Sequence, residues 1–106
     1  MAEIGKQRTI WRVQEGFDRG KDILIDAYRR QEKYNPVIAK AGGVELVVRL
    51  TIDESGAVTD CAVVSDTAND ATFEAAMLDA IRKVHFSPHP GPPSTVERYP
   101  IMFHPM

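Results

Sequence analysis

One cysteine, Cys61, stands in 106 residues, which excludes an internal disulfide and any cysteine-rich zinc site. A single thiol suits the cytosol or an oxidising compartment equally, so it does not fix the location. Basic charge is not in surplus either: thirteen Lys and Arg face fifteen Asp and Glu, a formal net charge of −2. Binding to a phosphate backbone draws on such a surplus, so nucleic acid is not an expected partner. No apolar run approaches the ~18 residues of a membrane span, and the stretch from Met1 to Ile10 has no signal-peptide core. Catalytic signatures are missing too: there is no G-x-S-x-G, P-loop, G-x-G-x-x-G or H-E-x-x-H. His85 and His89 are spaced for a shared metal on a helix, but Pro88 between them breaks that geometry. Asp53, Glu54 and Asp60 lack the alternating oxygen ligands of a calcium loop and read as a solvated turn. Cys61 reads as a small core residue, since no base or cation pattern activates it. The expectation is a non-enzymatic chain with no metal, no cofactor and no small-molecule substrate.

What remains is an ordinary globular balance for one domain, 43% apolar and 26% charged. Thr9 offers an N-cap, after which Ile10, Val13, Phe17, Leu24 and Tyr28 form one helical stripe. Gly16 and Gly20 each weaken a helix by ~1 kcal/mol relative to Ala, so its firm part is Lys21 to Lys33. Residues 1–20 are read as an N-terminal extension or the start of this helix, and residues 21–106 as the domain. Asn35-Pro36 stops the helix, and Ala39 to Gly43 is read as a loop. The spacing Gly16-x-x-x-Gly20 carries little weight in a charged segment. Phe17 is expected in the core, whereas Trp11 fits either the core or a partner surface.

Val44, Leu46, Val48, Leu50 and Ile52 alternate with Glu45, Val47, Arg49 and Thr51, the period of a half-buried strand. Asp53 to Gly56 is a turn, and Ala57 to Ser65 a second strand whose broken parity suggests a bulge near Asp60. Polar residues Asp66 to Asp70 lead into a second helix carrying Phe73, Met77, Leu78, Ala80, Ile81 and Val84. Its early acids, Asp70 and Glu74, and late bases, Arg82 and Lys83, suit the helix dipole. Pro88, Pro90, Pro92 and Pro93 forbid regular structure before a last strand, Thr95 to Phe103. There Tyr99, Ile101 and Phe103 are assigned to one face, and Val96 and Met102 to the other.

The order α-β-β-α-β predicts an α+β, two-layer fold: two helices on one face of a three-stranded antiparallel or mixed sheet. A right-handed crossover through the second helix places the first strand between the other two. Pro100 removes a ladder donor and is tolerated essentially only at an edge, so the last strand is expected at the sheet's edge. Such an edge either accepts an extended peptide by strand addition or is blunted by Pro100 against aggregation. The residues alone leave both open.

Several pieces then recur together. Gly43-Val44-x-Leu46-x-Val48-x-Leu50-Thr51-Ile52-Asp53-x-x-Gly56-x-Val58, Val63-Val64-Ser65, Ala80-Ile81-Arg82-Lys83-Val84-x-Phe86-x-Pro88 and Tyr99-Pro100-x-x-Phe103 resemble the TonB C-terminal domain family. Ala27-Tyr28-Arg29-Arg30 and Asn35-Pro36 are similar to its gliding-motility branch of the AgmX/PglI type. The resemblance spans roughly Ile23 to Pro105. It departs at Ala27 and Ala76, where that branch often carries cysteines, and at Val84, where a tryptophan is common. It implies a periplasmic interaction module of a TonB-like energy-transducing or envelope-spanning system. Full-length relatives carry an inner-membrane anchor and a proline-rich spacer, so this chain is expected to be an excised domain. The implied partner is an extended segment of an outer-membrane or envelope protein. It would be captured along Thr95, Val96, Glu97, Arg98, Tyr99, Ile101, Met102 and Phe103. The alternative is a self-assembly domain of a gliding-motility or secretion complex, pairing as a homodimer through the same strand.

Overall fold

Gly20 divides what the apolar stripe reads as a single helix. In the computed structural model, which describes residues 9–105, α1 spans Ile10–Arg19 and α2 spans Lys21–Tyr34. The Thr9 hydroxyl accepts from the Arg12 N–H at 3.4 Å, so the expected cap forms. The Gly20 N–H closes α1 on the Gly16 carbonyl, and the Gly20 carbonyl opens α2 by accepting from the Ile23 N–H. Ile10 does not join the buried stripe. It is 56% exposed, because Val13 is the first α1 residue to reach the core.

Asn35 ends α2 as expected, but the following residues are not a loop: Pro36–Ala41 form a short helix, α3. Proline at the first helical position loses no intrahelical bond and its fixed φ suits the helix. The Asn35 side chain accepts from the Val37 N–H, and Ile38 is fully buried beneath the turn. Gly42 then stops α3 in the left-handed region, at φ 70° and ψ 30°. The two expected helices are therefore four helical segments, with α4 at Ala71–Arg82. Asp70 caps α4 by accepting from the Phe73 N–H, and the Asn35 amide also donates to Asp70 at 2.8 Å.

Three strands, β1 (Val44–Ile52), β2 (Val58–Asp66) and β3 (Ser94–Phe103), form one antiparallel sheet in the order β2-β1-β3. The first strand is central and β3 lies at an edge, as the topology and Pro100 predict. A bulge lies where β2 changes parity: Thr51 faces Asp60 and Ile52 faces Val58, leaving Thr59 over. A second one, unforeseen, leaves Val64 over between Val63 and Ser65. A third, in β3, corrects a face assignment. Val48 faces Tyr99 and Leu50 faces Val96, so two residues, Glu97 and Arg98, oppose Arg49. The extra residue shifts the parity, and Val96 joins Tyr99, Ile101 and Phe103 towards the helices. Met102 stays on the open face, 55% exposed.

The core lies between the helices and one face of the sheet, where Leu46, Val48, Leu50 and Ile52 are fully buried. Phe86, on the crossover after α4, sits at its crowded end. A Cβ on Gly16 would overlap the Phe86 ring, and one on Gly56 would overlap the Phe86 backbone. Gly56 is also held at φ +100°, which L side chains rarely adopt. Its carbonyl accepts from the Phe86 N–H at 2.9 Å, and the Glu54 carbonyl accepts from the His89 N–H at 3.0 Å. The proline-rich crossover is thereby buttoned onto the β1–β2 turn. That turn is closed by the Asp53 carboxylate, which accepts from the Ser55 hydroxyl and from the Ser55 and Ala57 amides. These donors hold the Asp53 pKa below the usual carboxylate range. Ala27 and Ala76 line one groove between α2 and α4.

Candidate functional site

Both outer strands, β2 and β3, have a long side that pairs with no other strand among the described residues. They are not equivalent. Two bulges interrupt β2 within nine residues, and bulges blunt an edge by twisting it away. In β3 five consecutive residues, Tyr99 to Phe103, run in unbroken register with Val48 to Val44. The more regular template is β3.

Its helix-facing row is built by aromatic packing from α1 and α2. Phe17 stacks on Tyr99, with centroids 4.4 Å apart and planes at 14°, and meets Phe86 edge-on at 5.3 Å. Tyr28 stacks on Phe103 at 4.9 Å, and Phe73 closes on both edge-on. These contacts fix two residues of β3 against two helices, with ~0.5–1.5 kcal/mol per pair beyond area burial. Between the strand's ends, Val96, Tyr99 and Ile101 touch the core but remain half-buried. Burial, and then the charge of Asp18 on α1, raise the Tyr99 phenol pKa.

The opposite row faces solvent. Thr95 shares a hydroxyl contact of 3.2 Å with Thr51 of β1. Arg49, centrally placed on β1, pairs with Glu97 at 3.1 Å and approaches Asp60 of β2 at 3.8 Å. Exposed surface pairs contribute little individually, but this one ties the three strands together across the open face. Arg98, the second bulge residue, is exposed and has no carboxylate partner among the described residues.

The eight residues expected to line the edge thus occupy one strand in three environments. Thr95, Val96, Tyr99 and Ile101 are half-buried, Phe103 is buried, and Glu97, Arg98 and Met102 are exposed. Phe17 and Asp18 were not anticipated beside Tyr99. The available signal was Gly16-x-x-x-Gly20: a Gly20 Cβ would stand 3.0 Å from a Val84 methyl, so both glycines mark close approach to the crossover. Trp11 is 76% exposed and belongs to no core cluster. Cys61 is buried with its thiol near the Leu78 carbonyl, and burial raises its pKa, which disfavours the reactive thiolate. Among the described residues no group of three or more His, Cys, Asp or Glu converges to hold a metal.

In comparison with known proteins, residues 31–105 match the family described as Gram-negative bacterial TonB protein C-terminal. No curated protein and no solved structure matches the chain.

Proposed function

The chain belongs to the TonB C-terminal family, a family of periplasmic protein-interaction domains, and we propose that it binds an extended partner segment by strand addition along β3. The observation carrying this reading is the open side of β3, with a regular five-residue register and half-buried Val96, Tyr99 and Ile101 above it. Main-chain hydrogen bonds along Thr95 to Phe103 would supply affinity, and the alternating side chains selectivity. The partner is a segment of an outer-membrane or envelope protein. The full-length protein is tethered to the inner membrane, so that the domain couples the two membranes. The AgmX/PglI-type features around Tyr28 and Asn35-Pro36 support a place in a gliding-motility system.

An amide-shift titration of the labelled chain tests this, with a synthetic segment of about ten residues, the length of β3, alternating Val and Thr. Shifts running along β3 and the facing residues of β1 are expected. Shifts confined to the helices would remove the reading. Self-association through the same edge is the competing reading, and its signature is a sedimentation coefficient that rises with concentration. A strict monomer at high concentration discards it.

A further inference from the structure

We propose that the outer face of α2 and α4 is an interface between two copies of this chain, packed groove to groove about a two-fold axis that crosses α2 near Ala27. This pairing leaves β3 untouched and does not rest on the strand-addition reading.

Leu24 and Tyr28 of α2 and Phe73 and Met77 of α4 are buried in the core. Other residues of the same two helices line a groove of about 740 Å³ on the side away from the sheet. Its apolar part is formed by Ile23, Ile25, Ala27 and Ala76, all half-buried, with the buried Ala80. The domain's own fold leaves this apolar surface only partly covered.

Charge is sorted along the groove. The two helices run in opposite directions, since a Cβ on Gly20 would meet Val84 and the Tyr28 ring meets Phe73. Asp22, Asp26 and Asp79 therefore lie with Lys83 at one end, and Arg29 and Arg30 lie towards the other. One end is net negative and the other net positive. A uniformly acidic or uniformly basic partner matches only one of them. A second copy matches both: a two-fold axis perpendicular to α2 reverses the helix and sets each acidic end on the other copy's basic end. Ile23 and Ile25 are then dehydrated at the centre beneath a charged rim, the usual anatomy of a protein interface.

Internal ion pairs do not use up these charges. Arg30 meets Asp26 at 2.7 Å and Lys83 meets Asp79 at 3.5 Å, but both pairs lie exposed within single helices and contribute little. Asp22 and Arg29 have no ion pair among the described residues.

The test uses the full chain. Sedimentation over a wide range of concentration is expected to show a monomer–dimer equilibrium that weakens with salt. Pairing through β3 would give the same trace, so the location is read separately. On dilution of the labelled chain, amide shifts should change along α2 and α4 and stay constant along β3. Asp22→Lys with Asp26→Lys makes both ends basic, and Arg29→Glu with Arg30→Glu makes both acidic. Each double variant should dimerise about tenfold or more weakly than the wild type. Mixed together, the two should restore a dimer of wild-type strength. All four side chains are exposed, so both variants should fold, and unchanged amide shifts in the sheet check this. A wild-type chain that stays monomeric at every concentration overturns the proposal. So do dilution shifts confined to β3, a dimer that either variant alone retains in full, or no recovery on mixing. None of these results bears on whether β3 receives a partner strand.

Discussion

Phe86 meets a glycine on each side, and the two contacts make different demands. At Gly16 the obstacle is the aromatic ring, so Gly16→Ala forces either α1 or the ring to move. Overpacking of this kind costs about 1–3 kcal/mol, which exceeds the ~1 kcal/mol that alanine returns in helix propensity. Urea unfolding should show a clear net loss. Gly20→Ala, whose Cβ would stand 3.0 Å from terminal Val84 methyls, should be nearly neutral by the same measurement. Tyr28 poses the opposite problem. Its ring is fully buried on Phe103, but its hydroxyl has no hydrogen-bond partner among the described residues. Burial foremost, and then the charge of the nearby Glu32, raise its pKa. An unsatisfied buried hydroxyl costs about 1–3 kcal/mol. Tyr28→Phe keeps the stack and removes that cost, so the melting temperature should rise. A fall would show that the hydroxyl has a partner in solution. Glu74, in the first turn of α4, would ordinarily gain from the helix dipole. Burial, a hydrogen bond with Asp66 and the charges of Asp66 and Asp70 outweigh that gain and raise its pKa. A carboxyl whose folded pKa lies above its unfolded value contributes stability below ~4.3, the unfolded value, and loses it as pH rises through the folded value. Glu74→Gln should therefore melt higher than wild type at pH 7, with the difference vanishing near pH 4.

Caps and bulges, rather than apolar periodicity, decide how the elements fit. Asn35 caps α3, Asp70 caps α4, and the two caps are joined at 2.8 Å. Each single change to Ala should cost ~1 kcal/mol as a lost cap. Because the side chains also bond to each other, the double variant should cost less than the sum, by ~0.5 kcal/mol or more. Strict additivity in urea unfolding would show that the link is idle. These elements also mark what could be read from the chain. The hairpin and α4 follow from period-two and helical stripes, the crossover puts β1 in the centre, and Pro100 independently points β3 to an edge. The helix α3 was hidden because proline and asparagine read as a stop, although the same pair also starts a helix. The face of Val96 was hidden because alternation presumes an unbroken register. The bulge at Glu97 and Arg98 has no local signal, since it is set by which residues Arg49 and Leu50 must face on β1. The candidate strand was thus legible, but the side on which each residue stands was not.

At the scale of the molecule, α1 matters because β3 is held from above. Among the described residues the edge strand pairs with no strand but β1, and its helix-facing row depends on α1 at Tyr99 and on α2 at Phe103. Val13 and Phe17 of α1 are 1% and 5% exposed, so removing the chain up to Arg19 uncovers both their burial sites. At ~1.5–3 kcal/mol for each buried side chain, the loss is about 3–6 kcal/mol. That is a large part of the ~5–15 kcal/mol a domain has. It also strips the ring that covers Tyr99 beside the open edge, exposing an apolar row on a strand with free main-chain groups. Such an edge pairs with whatever is available, including itself. A chain beginning at Gly20 should therefore unfold at a markedly lower urea concentration and self-associate more strongly in sedimentation than the full chain. An unchanged midpoint with unchanged sedimentation would show that α2 alone positions β3, and that α1 is a dispensable neighbour of the binding edge.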